Sequence, residues 1–443
     1  MTKLARNKLS AGVTRFLSTI AWASLLWLPV TANARIDGIP GPTFALSAQA
    51  GYISIADGGS VYSWGYSANG TPMQLPGPTL IVTAGDTVTV SLTNDLPTAA
   101  GNVSIIFPGH QMIPAPSGVA GDLTREAPTG GSVTYSFIAG EPGTYQYHSG
   151  TQPDLQVEMG LYGALIVRPA TAPVCIGAGY LDALNTGAAY NHAGTCFDRE
   201  YLFILSEVDM DIHQAAELQS GGPGPIQLPT GAYHSEYWLI NGRAAPDTMA
   251  AAGTALLPSQ PYNTMPRMHP GEKLLLRIVG AGREMHPFHT HGNHARLLAR
   301  DGQMLVNSQG NLSGPLLFTI PSIPGGTADA IFEWTGQELG WDIYGHGPAD
   351  PTEPNEWLPD HGRPIPVTLP SLNALAFGGF YSGSPFLGAL GSLPPGEGGL
   401  NPAAGFSYMW HSHNEREMVN NDIFPGGMMT MLIVEAPSVE IME

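Results

Sequence analysis

Lysine is nearly missing from this chain. Among 443 residues only Lys3, Lys8 and Lys273 are lysines, and Lys and Arg together number 17 against 36 Asp and Glu. The net charge of −19 leaves no basic stripe with which to hold a phosphate backbone, which argues against nucleic-acid binding. Charge of either sign is scarce, at 12% of residues, about half the globular norm. Cysteine is rarer still: Cys175 and Cys196 stand alone, far in sequence from every histidine cluster. In an exported chain such a pair predicts a disulfide stapling the loop between two domains; the alternative is a pair of free thiolate ligands.

Long apolar runs are also lacking beyond the N-terminus, and a bilayer span needs about 20 such residues. The N-terminus itself carries Lys3, Arg6, Lys8 and Arg15, then an apolar run from Phe16 to Val30, then Ala32-Asn33-Ala34 as a small–x–small cleavage site. Residues 1–34 read as a secretory signal peptide, against the alternative of a membrane anchor. Cleavage after Ala34 removes four basic residues and no acidic ones, so the mature chain of residues 35–443 would carry 13 basic and 36 acidic groups, a net charge of −23. The expected location is periplasmic or extracellular. So acidic a surface attracts cations, metal ions included, and equally serves solubility outside the cell.

What the chain has in plenty is turn-formers, 56 glycines and 40 prolines, beside 43% hydrophobic residues. That balance predicts an all-β protein with long ordered loops rather than disorder. Thr87-Val88-Thr89-Val90-Ser91-Leu92, after the turn signal Gly85-Asp86, alternates as a half-buried strand does. Further strands are expected at Val103–Phe107, Ser132–Ile138, Gly143–His148 and Gly160–Val167, then at Tyr201–Glu207, Tyr237–Ile240, Lys273–Val279, His294–Asp301, Phe406–Ser412 and Met428–Glu435. Short strands at this spacing predict β-sandwiches. A first domain over residues 35–170, an interdomain loop at 171–196 and a second domain over 197–443 follow. The stretch from about 335 to 405 is Pro- and Gly-rich and reads as a loop insertion, to cover a site or to meet a neighbouring subunit. The halves also repeat weakly: Tyr145-Gln146-Tyr147-His148-Ser149 parallels Tyr408-Met409-Trp410-His411-Ser412.

Chemistry concentrates in the histidines. His286-Pro287-Phe288-His289-Thr290-His291-Gly292 and His411-Ser412-His413 each place imidazoles two residues apart, on one face of a strand, and His148 stands singly in Tyr147-His148-Ser149-Gly150. Four imidazoles from two strands can converge on a metal, and imidazole suits copper and zinc. The competing reading is two unrelated surface pairs. Met428, Met429 and Met431 could serve Cu(I), or simply fill a core.

These residues resemble those of the multicopper oxidases, best the two-domain, laccase-like type. The likeness takes in Pro76-Gly77-Pro78-Thr79-Leu80 followed by Gly85-Asp86, and runs from about residue 75 to 170 and again from about 235 to 437. It implies two tandem cupredoxin-like Greek-key β-sandwiches, a type 1 copper that takes electrons from a reductant, a trinuclear copper cluster that reduces dioxygen, and a homotrimer. By that resemblance His148, His289, His291, His411 and His413 fall on cluster positions, and His286 and Met428 on type 1 positions. Ser412 stands where the family has the type 1 cysteine, and Glu417 where it has the second type 1 histidine. Ile106-Phe107-Pro108-Gly109 replaces a first-domain His-x-His-Gly, with His110 just beyond as a substitute or a bystander, and Gly150 closes a pair that should end in histidine. A serine hydroxyl cannot replace the blue-copper thiolate. The expectation is therefore an exported relative that binds copper, with zinc as the alternative, at a mononuclear histidine site. It would be either a copper-dependent oxidoreductase using a small reductant or a non-catalytic copper-binding scaffold. A nucleophilic hydrolase finds no support, since Tyr233-His234-Ser235-Glu236 lacks a nucleophile elbow.

Overall fold

The structure, a computed structural model, describes residues 36–441 except 69, 115–116, 181–186, 338, 354, 366–382, 385–398 and 401–404. The expected signal peptide and much of the expected insertion lie outside the described residues. No described helix is long and apolar enough to cross a membrane.

Strand alternation builds the first sandwich. In Thr87–Asn94, Val88, Val90 and Leu92 are fully buried while their neighbours face outward. This strand lies between Thr43–Ser54 and Ser132–Ile138 in a five-stranded sheet. The facing sheet pairs Ile39–Pro40, Leu80–Thr83, Tyr162–Arg168 and Gly143–His148. Between them sits a core of Trp64, Tyr66, Phe107, Phe137, Tyr147 and Leu165, among others. Each such side chain contributes roughly 1.5–3 kcal/mol on burial.

The second sandwich sets the sheet containing Arg199–Val208, Lys273–Gly280, Thr327–Glu333 and Ala295–Arg300 against one containing Met429–Val434, Phe406–Ser412, His286–Thr290 and Thr319–Ser322. Phe203, Leu276, Phe288, Trp410 and Leu432 fill it. Trp341, Ile343 and Tyr344 join that core, so the described start of the Pro/Gly-rich stretch packs on this sandwich.

A third cluster joins the two sandwiches. Tyr162, Ala164 and Ile166 meet Leu202, Ile204 and Leu239, while Leu165 and Val167 turn back into the first core. The central stretches Ala164–Val167 and Tyr201–Leu205 are thus apolar on both faces, which explains their continuous hydrophobic runs.

One expectation needs correction. Val103–Phe107 is not a strand: it makes only single bridges, Val103 to Ala127 and Ile106 to His148. Side chains take its other backbone partners, with the Tyr135 hydroxyl accepting from the Ile105 N–H and the Tyr66 hydroxyl donating to the Ser104 carbonyl. The long hairpin Thr43–Ser54 with Ser60–Ala68, and the helix Met210–Gln219 capped by Asp209, went unforeseen. Cys175 and Cys196 form the expected disulfide, not a thiolate pair.

Candidate metal centre

Strands His286–Thr290 and Phe406–Ser412 run antiparallel, with His289 directly opposite His411 and Phe288 opposite Ser412. The two-residue period separates two faces. One face carries Phe288, Tyr408 and Trp410 into the core, with His286 and Ser412 at its end. The other face carries His289 and His411, and the chain delivers His291 and His413 just past the strand ends.

On the histidine face one ligand atom from each of His289, His291 and His411 lies within 4.8 Å of the other two. Nδ1–H of His411 donates to the Ser412 carbonyl at 2.6 Å, which leaves the lone pair on Nε2. That nitrogen faces Nε2 of His291 at 3.2 Å, a spacing that calls for a shared proton or a cation. Nδ1 of His289 bonds the Thr319 hydroxyl at 2.7 Å, and the Trp410 indole N–H holds the His291 carbonyl at 3.0 Å. The ring partners of His289 and His411 fix imidazole orientation and tautomer, while the Trp410 bond holds the His291 backbone in place. The His413 ring lies 4.6 Å from that of His289 on the exposed side. Burial, and then the neighbouring His291, His411, His413 and His294, push the His289 imidazole down to about 3, so it is neutral and ligand-ready at neutral pH.

His148 is not part of this group. It is half-buried on the first sandwich, bridged to Ile106, and its Nδ1–H donates to the Ser149 carbonyl at 3.0 Å, the same device that orients His411. His110 is a packed histidine, stacked on Phe137 and tilted against Tyr145, with Nδ1 accepting from the Gly140 N–H; burial pushes it down to about 4.

The core face of the strand pair is different. His286 is fully buried, with Nε2 at 2.8 Å from Glu207 and Nδ1 at 3.0 Å from Glu417. Burial pushes this imidazole down, but the bonds and charges of Glu207 and Glu417 outweigh it and hold it up at about 9. Ser412 donates to the same Glu417 oxygen, and the Asn414 amide donates to the other at 2.8 Å. Met428 is buried in the apolar core, its N–H donating to the Glu417 carbonyl. A doubly bonded imidazolium, a serine and a carboxylate do not fit a blue copper ion: no thiolate is present and neither His286 nitrogen is open. We propose accordingly that His286 serves as a buried ion-pairing imidazole and Met428 as a core residue instead of as type 1 ligands. Glu207, some 80 residues upstream in another sheet, was not foreseeable from the motif.

Residues 49–172 match the family model described as multicopper oxidase. An L-ascorbate oxidase of Brassica rapa subsp. pekinensis is 38% identical over 99 residues, 22% of this chain and 17% of that protein. Laccase-24 of Oryza sativa subsp. japonica is 27% identical over 228 residues, 50% of this chain and 33% of that protein. The chain thus covers well under two thirds of either relative, and the family match ends before the histidines of the second half. In fold, the chain resembles a blue copper oxidase from Nitrosomonas europaea, with a TM-score of 0.52 at 21% identity, covering 88% of this chain and 85% of that one. The multicopper oxidase mgLAC gives a TM-score of 0.52 at 19% identity, covering 90% and 87%. Residues 49–172 thus carry the likeness to a multicopper oxidase domain, and the fold of the chain is cupredoxin-like and nearly all β.

Proposed function

We propose that this chain, which carries a multicopper oxidase domain, is an exported copper protein that holds one copper ion on His289, His291 and His411, with His413 closing the exposed side. The observation that supports this most is the convergence of three ligand atoms, oriented from behind by Thr319 and by the Ser412 and Trp410 backbone and side-chain contacts. Copper supplies one-electron redox chemistry when bound. The protein's part is to present neutral nitrogens in a fixed geometry. On the core face the His286–Glu207–Glu417–Ser412 network takes the place of a thiolate relay. Residues 35–170 and 197–443 are read as two cupredoxin-like domains. In the homotrimer implied by the resemblance, His148 of the partner subunit is the candidate for a further ligand.

Copper analysis of the mature chain tests this reading. About one copper per chain is expected, with no intense thiolate-to-copper absorption, falling to near zero in His289→Ala/His411→Ala. Unchanged copper in that variant overturns the site. Oxygen uptake with a small reductant marks a copper-dependent oxidoreductase. Copper retained without uptake marks the second reading, a binding or structural scaffold, which the closed type 1 position favours.

A further inference from the structure

We propose that Asp342, His346, Glu356 and His361 form a second metal-ion site, made for a divalent first-row ion of the zinc type, that ties the Pro/Gly-rich segment after Glu333 to the second sandwich. One ligand atom from each of the four lies within 4.8 Å of the other three. The Glu356 carboxylate is 2.7 Å from Nδ1 of His361 and 3.6 Å from Nδ1 of His346. The Asp342 carboxylate is 3.7 Å and 3.5 Å from the same two nitrogens. All four groups therefore face one point.

Three features separate this cluster from a solvated patch of charge. Both carboxylates are out of water, at 0% and 3% side-chain exposure, and two such anions side by side repel strongly unless a cation lies between them. Each acid is held by backbone: Gly362 and Tyr344 N–H groups donate to Asp342 at 2.7 and 2.8 Å, and the Glu353 N–H donates to Glu356 at 2.8 Å. Nδ1 of His346 is buried with no hydrogen bond, although its ring is stacked on Tyr344 with that edge toward both acids. Two imidazoles with two carboxylates make a four-ligand N₂O₂ set suited to tetrahedral zinc. Because Trp341, Ile343 and Tyr344 are anchored in the core, an ion here would close the loop to His361 against that anchor.

The test uses the full chain carrying His289→Ala, His291→Ala and His411→Ala, so that the other cluster binds nothing. With Zn(II) it is expected to retain one ion per chain through gel filtration, and with Co(II) to show the visible bands of a tetrahedral centre. Adding Glu356→Gln should weaken Zn(II) more than about tenfold, and adding His346→Ala/His361→Ala should abolish retention. If that triple variant does not fold, the readout is the chain with its histidine cluster intact, which should hold one Zn(II) more than its His346→Ala/His361→Ala variant. No retained Zn(II), or retention indifferent to Glu356, His346 and His361, makes the four residues an ion-pair network only and overturns the proposal.

Discussion

His286 takes a carboxylate on each ring nitrogen, and that decides its charge. Its pKa rises from the ordinary imidazole value to about 9 because Glu207 and Glu417 outweigh the cost of burial. Folding then favours the protonated ring. The contribution is full below about pH 6.5, where the unfolded ring is also protonated, and is lost as pH rises through 9; it amounts to about 3 kcal/mol. Denaturant unfolding with chelator present should show stability falling between pH 6.5 and 9.5, and Glu417→Gln should flatten that slope while lowering stability at pH 6. An unchanged slope in Glu417→Gln would assign the titration elsewhere. The resemblance groups His286, Ser412 and Glu417 at one position, but the second acid, Glu207, comes from a strand of the other sheet.

At the scale of elements, the histidine cluster was readable because each His-x-His lies at one strand end and the two strands are hydrogen-bonded neighbours. Period fixed the face, and antiparallel register put His289 opposite His411. His148 obeys the same local rule, yet its strand belongs to the other sandwich, so spacing alone could not bring it to the cluster. Val103–Phe107 shows the opposite failure. Its alternation is real, with Val103, Ile105 and Phe107 all buried, but tyrosine hydroxyls replace ladder partners. The same logic singles out Thr319, which reaches His289 from the neighbouring strand. Thr319→Val keeps the shape and removes the bond. Copper affinity, measured by competition with a chelator, should fall about 10- to 100-fold, with a stability cost of about 1 kcal/mol. Undiminished affinity would show that His289 needs no such support.

Across the whole molecule, the two sandwiches are joined by buried charge as well as by apolar contact. The Cys175–Cys196 disulfide closes a segment of sequence separation 21 beside that junction, and its reduction should cost about 3 kcal/mol, read as a drop in urea midpoint on adding reductant. The stronger link is Arg277, fully buried on the second sandwich. It donates to Glu200 at 3.0 Å and, across the junction, to the Thr144 hydroxyl at 3.0 Å, with Asp329 at 3.8 Å. From the first sandwich Arg168 donates to the same Glu200 at 2.7 Å, and Thr144 donates to Asp329 at 2.6 Å. Burial pushes Glu200 up, yet Arg168 and Arg277 overcome this and hold it down at about 2. Arg277→Met would leave Glu200 and Asp329 in a low-dielectric interior with half their compensation gone, a loss of about 3–5 kcal/mol. Because the network is shared, that loss falls on both halves at once. The variant should still unfold in one transition, at lower urea, whether followed by first-sandwich or second-sandwich proteolysis. Adding Glu200→Gln should recover part of the loss, since it removes one stranded charge. If instead only the second sandwich is weakened, and the first keeps its midpoint, the junction does not couple them and the molecule unfolds as two independent bodies.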